Sequence, residues 1–168
     1  MSGRAPSSAQ KIARLGLLTA VALVLGYAES LLPAIGIPGV KLGLGNTVLL
    51  YALYLLDIKS AAVLMVLKVG LSGLLFGGPA AMLYSFAGGA LSLLAMILIK
   101  KVRGVGELGT SVTGALMHNV GQMAVACFVV ESRAIFAYLP VLLLSAAITG
   151  TLTGVAAKYL IKALRPKG

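Results

Sequence analysis

The sequence is poor in charge, and poorest in acid. Only 11% of its 168 residues are charged, and 4 Asp and Glu stand against 14 Lys and Arg. A water-soluble domain carries roughly 25% charged residues because its surface must be solvated, so an ordinary cytosolic enzyme is excluded. The single cysteine, Cys127, rules out an internal disulfide and any cysteine-built metal cage. One histidine and one cysteine in different contexts make no nucleophile pair. Asp57 is the sole aspartate, which removes the paired aspartate-rich sites that hold magnesium and an allylic diphosphate. Gly43 and Gly45 fall one glycine short of a dinucleotide fingerprint, and they open an apolar run instead of following a strand. No phosphate-binding loop is present either. The expectation is a chain that is not an enzyme, carries no cofactor or metal, and binds or passes a substrate without transforming it.

What fills the space left by charge is hydrocarbon. Hydrophobic residues make up 60% of the chain, and the mean hydropathy is +1.04. Apolar runs occupy 12–33, 42–56, 60–76, 80–99, 110–130 and 137–161, several of them near the roughly 20 residues a bilayer crossing requires. The pattern predicts an all-α integral membrane protein: a bundle of six transmembrane helices forming one domain over 12–161, with a tail at 1–11 and a basic tail at 162–168. The second and third runs are short for a perpendicular crossing. Breaks fall at Pro33, Gly36, Pro38 and Gly39, at Gly77, Gly78 and Pro79, and at Gly104, Gly106 and Gly109.

Cations fix the expected orientation. Arg4, Lys11, Arg14, Lys59, Lys100, Lys101, Arg103, Lys158, Lys162, Arg165 and Lys167 fall on one side, and Lys41 and Arg133 on the other. The positive-inside rule then puts both termini in the cytoplasm. The net charge of +10 reads as topology signal and headgroup contact, not as a nucleic-acid surface, since no base-reading module is visible.

An ionised side chain at the bilayer centre costs from about 2.5 kcal/mol upward, so each needs a partner or a wet cavity. The polar side chains set well inside the apolar runs are Glu29, Asn46, Lys68, His118, Asn119 and Gln122, with Lys41 at an interface. His118 and Gln122 are four residues apart and share a helical face. Two readings stand for this set. In one, Lys68 and Lys41 attract an anionic group into a pocket entered from outside, and His118, Asn119, Gln122 and Asn46 supply directional hydrogen bonds. In the other, Lys68 pairs with Glu29 and the amides tie helices together. Ser145, Thr149 and Thr153 form a stripe on the last run that reads as packing, because hydroxyls bond back to their own helix. Small residues at four-residue spacing, Gly16 with Ala20, Ala22 with Gly26, Gly73 with Gly77 and Gly150 with Gly154, mark close helix approaches.

The segments YAESLLP (27–33), IPGVKLGLGNTVLLYALYLL (37–56), LLFGGP (74–79), SFAGGALSLLAM (85–96), GALMHNVGQMAVA (114–126) and YLPVLLLSAAITG (138–150) resemble the bacterial membrane family called heptaprenyl diphosphate synthase component I, or the Gx transporter family. PGVKLGLGN and HNVGQ are the most specific pieces. The resemblance implies a six-helix bundle similar to the substrate-binding S subunits of energy-coupling-factor transporters. Such subunits capture a small molecule from outside and release it inside with a scaffold and two ATPases. It implies ligand-binding positions at Glu29, Lys41, Asn46, Lys68, His118, Asn119 and Gln122. It also implies a partner-docking face on the first helix, where Gly16, Ala20, Ala22 and Gly26 stand in place of the paired alanines of those subunits. The alternative implied by the same relatives is a non-catalytic membrane accessory beside a prenyl synthase or a flavoprotein, serving prenyl-quinone synthesis or electron export.

Overall fold

The computed structural model describes residues 7–31 and 43–164, and the regular structure among them is helical throughout. Six α-helices follow in order: α1 (Ser8–Leu31), α2 (Leu44–Leu55), α3 (Ile58–Ser72), α4 (Gly78–Ile99), α5 (Glu107–Val130) and α6 (Leu139–Leu164). A π-helical turn, Gly73–Gly77, joins α3 to α4, and a 3-10 turn, Arg133–Tyr138, leads into α6.

Local chemistry sets where the helices begin. Before α1, the Ser7 hydroxyl accepts from the Gln10 amide N–H at 3.3 Å while the Gln10 side chain accepts from Ser7 N–H at 3.0 Å. This reciprocal capping box starts the helix several residues ahead of its apolar run. The Asp57 carboxylate accepts from Ser60 N–H at 2.7 Å and caps α3. That bond holds the Asp57 pKa below the ordinary carboxylate value. At α4, Gly78 takes φ +72, a conformation that disfavours a side chain, and Pro79 occupies the first turn.

Ile58–Ile99 forms one apolar helical stretch of 42 residues, but the chain reverses at Gly78. A Cβ built on Gly73 would lie 2.7 Å from Met82 Cβ, and one on Gly89 would lie 3.1 Å from Met65 Sδ. Residues so far apart in sequence meet only if α3 and α4 run antiparallel. Next in line, α4 packs on α5 and α5 on α6, the two most extensive helix interfaces. Glycines make both close. A Cβ on Gly121 would fall 2.7 Å from the Ala87 carbonyl oxygen, and one on Gly150 would fall 2.9 Å from Val112 Cα.

The hydrophobic core lies toward the end where α2 finishes and α3 starts. Leu50, Leu53, Leu64, Met96 and Ile161 pack together there, each almost wholly buried. The same end gathers Lys11, Arg14, Lys59, Lys100 and Lys162 by chain topology. Lys100 Nζ donates to the Leu53 carbonyl at 2.6 Å and lies 4.6 Å over the Tyr54 ring, so the end of α4 is pinned to the end of α2. Partial burial pulls the Lys100 pKa down.

The outer surface is apolar, with Phe128 84%, Leu74 80% and Leu144 67% exposed. Four stretches are long and apolar enough to cross a membrane: Ser8–Leu31, Ile58–Ile99, Glu107–Val130 and Ala134–Leu164. The short α2 lies outside these four stretches. Its 12 residues reach about 18 Å at helical rise, less than the hydrocarbon thickness of about 30 Å. The architecture is that of a helical, multi-pass membrane protein.

Candidate functional site

All six helices contribute to a cavity of about 710 Å³, which reaches down to the core at Leu50 and Met96. Six of the seven residues expected at a ligand site line it: Glu29 from α1, Asn46 from α2, Lys68 from α3, and His118, Asn119 and Gln122 from α5. The seventh, Lys41, lies outside the described residues.

Glu29 reaches across to the start of α2. Its two carboxylate oxygens accept from Gly43 N–H at 2.7 Å and Leu44 N–H at 3.1 Å. These are orphan donors of a helix N-terminus, and a carboxylate there satisfies both them and the helix dipole. Gly43 makes the approach feasible with φ +73. One turn along α2, Asn46 Oδ1 accepts from Lys68 Nζ at 2.7 Å. The Lys68 chain passes over Gly45, where a Cβ would sit 2.9 Å from Lys68 Cε and 3.1 Å from the Ala22 carbonyl. The segment read as PGVKLGLGN thus has a physical account over Gly43, Gly45 and Asn46: cap position, clearance for a lysine, and that lysine's acceptor.

The HNVGQ segment has one too. Gly121 lets α4 approach, while His118 and Gln122 straddle Gly88, where a Cβ would fall 2.7 Å from the His118 carbonyl and 2.8 Å from Gln122 Cγ. Asn119 Nδ2 donates to the Leu142 carbonyl at 2.9 Å and ties α5 to α6. Asn119 therefore combines an interhelical tie with a place on the cavity wall.

Several lining residues were not singled out by sequence as ligand positions. Ser145, Thr149 and Thr153 bond back to carbonyls of α6, as expected of a packing stripe, yet all three also line the cavity. Ser85, Ser92 and Ser111 join them. Their spacing on α4 and α5 places them on the side that Gly88 and Gly114 turn toward the neighbouring helix, the one signal that would have found them. Tyr27 and Phe76, stacked at 5.1 Å between ring centroids, line the same space from α1 and the π-helical turn.

The four small residues of α1 divide between two faces. Gly16 and Ala20 are exposed, and nothing approaches a Cβ on Gly16 within 4 Å. Ala22 is fully buried, and with Gly26 it lines the cavity. The reason is helical geometry: positions 16 and 20 lie on one side of the helix, and 22 and 26 lie well around it. An outward docking face therefore contains only the first pair.

No curated protein and no solved structure matches the chain. A family model does, and it spans residues 18–160, which take in every residue that lines the cavity. By that match this helical membrane chain belongs to the family of heptaprenyl diphosphate synthase component I.

Proposed function

We propose that the chain is a non-catalytic, substrate-binding membrane subunit, similar in role to the S subunits of energy-coupling-factor transporters. It captures a small anionic or amphipathic molecule from the extracytoplasmic side of the bacterial cytoplasmic membrane, for uptake with partner ATPase subunits. One observation carries this reading. Polar side chains that are costly in lipid converge from four helices on one cavity, whose volume of about 710 Å³ falls within the range of small-molecule sites. With six crossings, the cation count sets the basic ends in the cytoplasm, and the cavity then opens toward the outside. Gly16 and Ala20 form the surface offered to a scaffold subunit.

The test is native mass spectrometry of the purified protein for a retained molecule, with thermal shift on Lys68→Ala and His118→Ala. Loss of the retained molecule in variants that still melt cooperatively supports capture. Variants that only melt earlier, with ligand preference unchanged, support a purely structural role for the polar groups.

The family description favours a second reading. A component I of a heptaprenyl diphosphate synthase implies a prenyl synthase subunit as partner, with this chain as its membrane accessory; a flavoprotein of an electron-export system is the related case. Copurification separates the readings: ATPase subunits support uptake, and a prenyl synthase or flavoprotein supports the accessory role.

A further inference from the structure

A second recess, of about 320 Å³, opens at the end of the bundle where α1 begins, α2 finishes and α3 starts. Its lining is of two kinds. Lys11 and Arg14 supply cations, three positions apart and so on one face of α1. Leu15 of α1 and Leu55 and Leu56 at the end of α2 supply aliphatic surface.

The cations are not consumed by the protein. Arg14 forms no hydrogen bond or ion pair with a described residue. Lys11 is attracted through space by the Asp57 carboxylate, without an ion pair between them. Asp57 is the one acid among the described lining residues, and it is already committed to capping α3 at Ser60 N–H. Two cations against one carboxylate leave the recess electropositive. The helix N-terminus adds little, because its cap is in place.

The place of the recess narrows its occupant. Lys11 and Asp57 lie at helix ends, where a membrane bundle meets the headgroups. The adjoining Ile12 and Ile58 are apolar yet 71% and 49% exposed, as suits contact with acyl chains. A free phosphate would satisfy the cations and leave the leucines unused. A zwitterionic headgroup carries its own cation to the same spot and gains less there.

We propose that this recess is a lipid site, in which the phosphate of an anionic phospholipid sits between Lys11 and Arg14 and its first methylenes lie along Leu15, Leu55 and Leu56. A guanidinium beside an ammonium suits a phosphate, the one by paired N–H donors and the other as a point charge, and basic recesses between membrane helices hold anionic headgroups in this way. Because α1, α2 and α3 all border the recess, its occupant ties the first helix to the other two. The site is separate from the large cavity and does not depend on the capture reading.

The full chain, stripped of lipid in a neutral detergent, is melted with dioleoyl-phosphatidylglycerol, dioleoyl-phosphatidylcholine or inorganic phosphate. Phosphatidylglycerol is expected to raise the melting temperature by roughly 3–5 °C, well beyond the other two. Lys11→Gln combined with Arg14→Gln weakens phosphatidylglycerol binding roughly tenfold or more. Lys59→Gln combined with Lys101→Gln removes the same charge from exposed positions outside the recess, and leaves binding within about twofold. All four side chains are exposed, so both variants keep the melting temperature of the lipid-free protein. Equal losses in the two variants, equal shifts with the two lipids, or no shift with any ligand overturns the site. A shift with inorganic phosphate as large as that with phosphatidylglycerol overturns the lipid as its occupant.

Discussion

Glu29 was legible as costly but not as a cap. A carboxylate near the end of an apolar run announces that it needs a partner. Its partner here is the backbone of Gly43 and Leu44, fourteen and fifteen positions on, and no local motif encodes a cap supplied from that distance. Removing it leaves two helix donors without an acceptor. Glu29→Ala is expected to cost about 1–2 kcal/mol and to lower the melting temperature by roughly 2–8 °C. Glu29→Gln retains an acceptor oxygen and recovers part of the loss. Melts of both variants in detergent check this, and an unchanged Glu29→Ala melt refutes the capping role. Lys68 was legible as a cation that needs a polar neighbour; the sequence offered Glu29 for that place, and the structure sets Asn46 Oδ1 2.7 Å from its ammonium.

Between helices, the informative residues are those that are nearly nothing. The adjacent Gly88 and Gly89 face different neighbours: a Cβ on the first would strike α5 at His118, and one on the second would meet Met65 of α3. The sequence displayed both glycines without saying which helix each served. Gly121→Ala places its methyl 2.7 Å from a backbone oxygen of α4, where no rotamer can relieve it. The expected cost is about 1–3 kcal/mol, seen as a lower melting temperature and a weaker helix pair. Gly16→Ala, with open space around it, is expected to be neutral or stabilising by up to about 1 kcal/mol. Equal effects at the two positions would contradict the packing described. The π-helical turn at Gly73–Gly77 was not legible at all. It differs from an α-turn only in hydrogen-bond register, which hydropathy does not record, although the neighbouring Gly77, Gly78 and Pro79 did mark the reversal.

Across the whole bundle, hydropathy conveyed the class of the protein and the grouping of polar residues, because lipid penalises each isolated polar group. It did not show that α1 starts ahead of its apolar run, at Ser8, or that α6 continues past its own, to Leu164, since capping and helix propensity carry both beyond the apolar residues. It could not rank which polar residues face each other, because that depends on helix rotation. The proposed orientation has its own check, with single cysteines introduced in a Cys127→Ala background. Ser132→Cys should react with an impermeant maleimide on intact cells, and Gly104→Cys only after permeabilisation; the reverse pattern refutes cytoplasmic termini. Finally, the molecule is filled unevenly, solid where Leu53, Leu64 and Ile161 interlock and hollow where Lys68 and Gln122 line open volume. Local opening follows the density of buried contacts, so amide hydrogens around Ala81, Gln122 and Ser145 should exchange with solvent sooner than those of the lower turns of α2 and α3. Rearrangement is then cheap at one pole while the other keeps the helices in register.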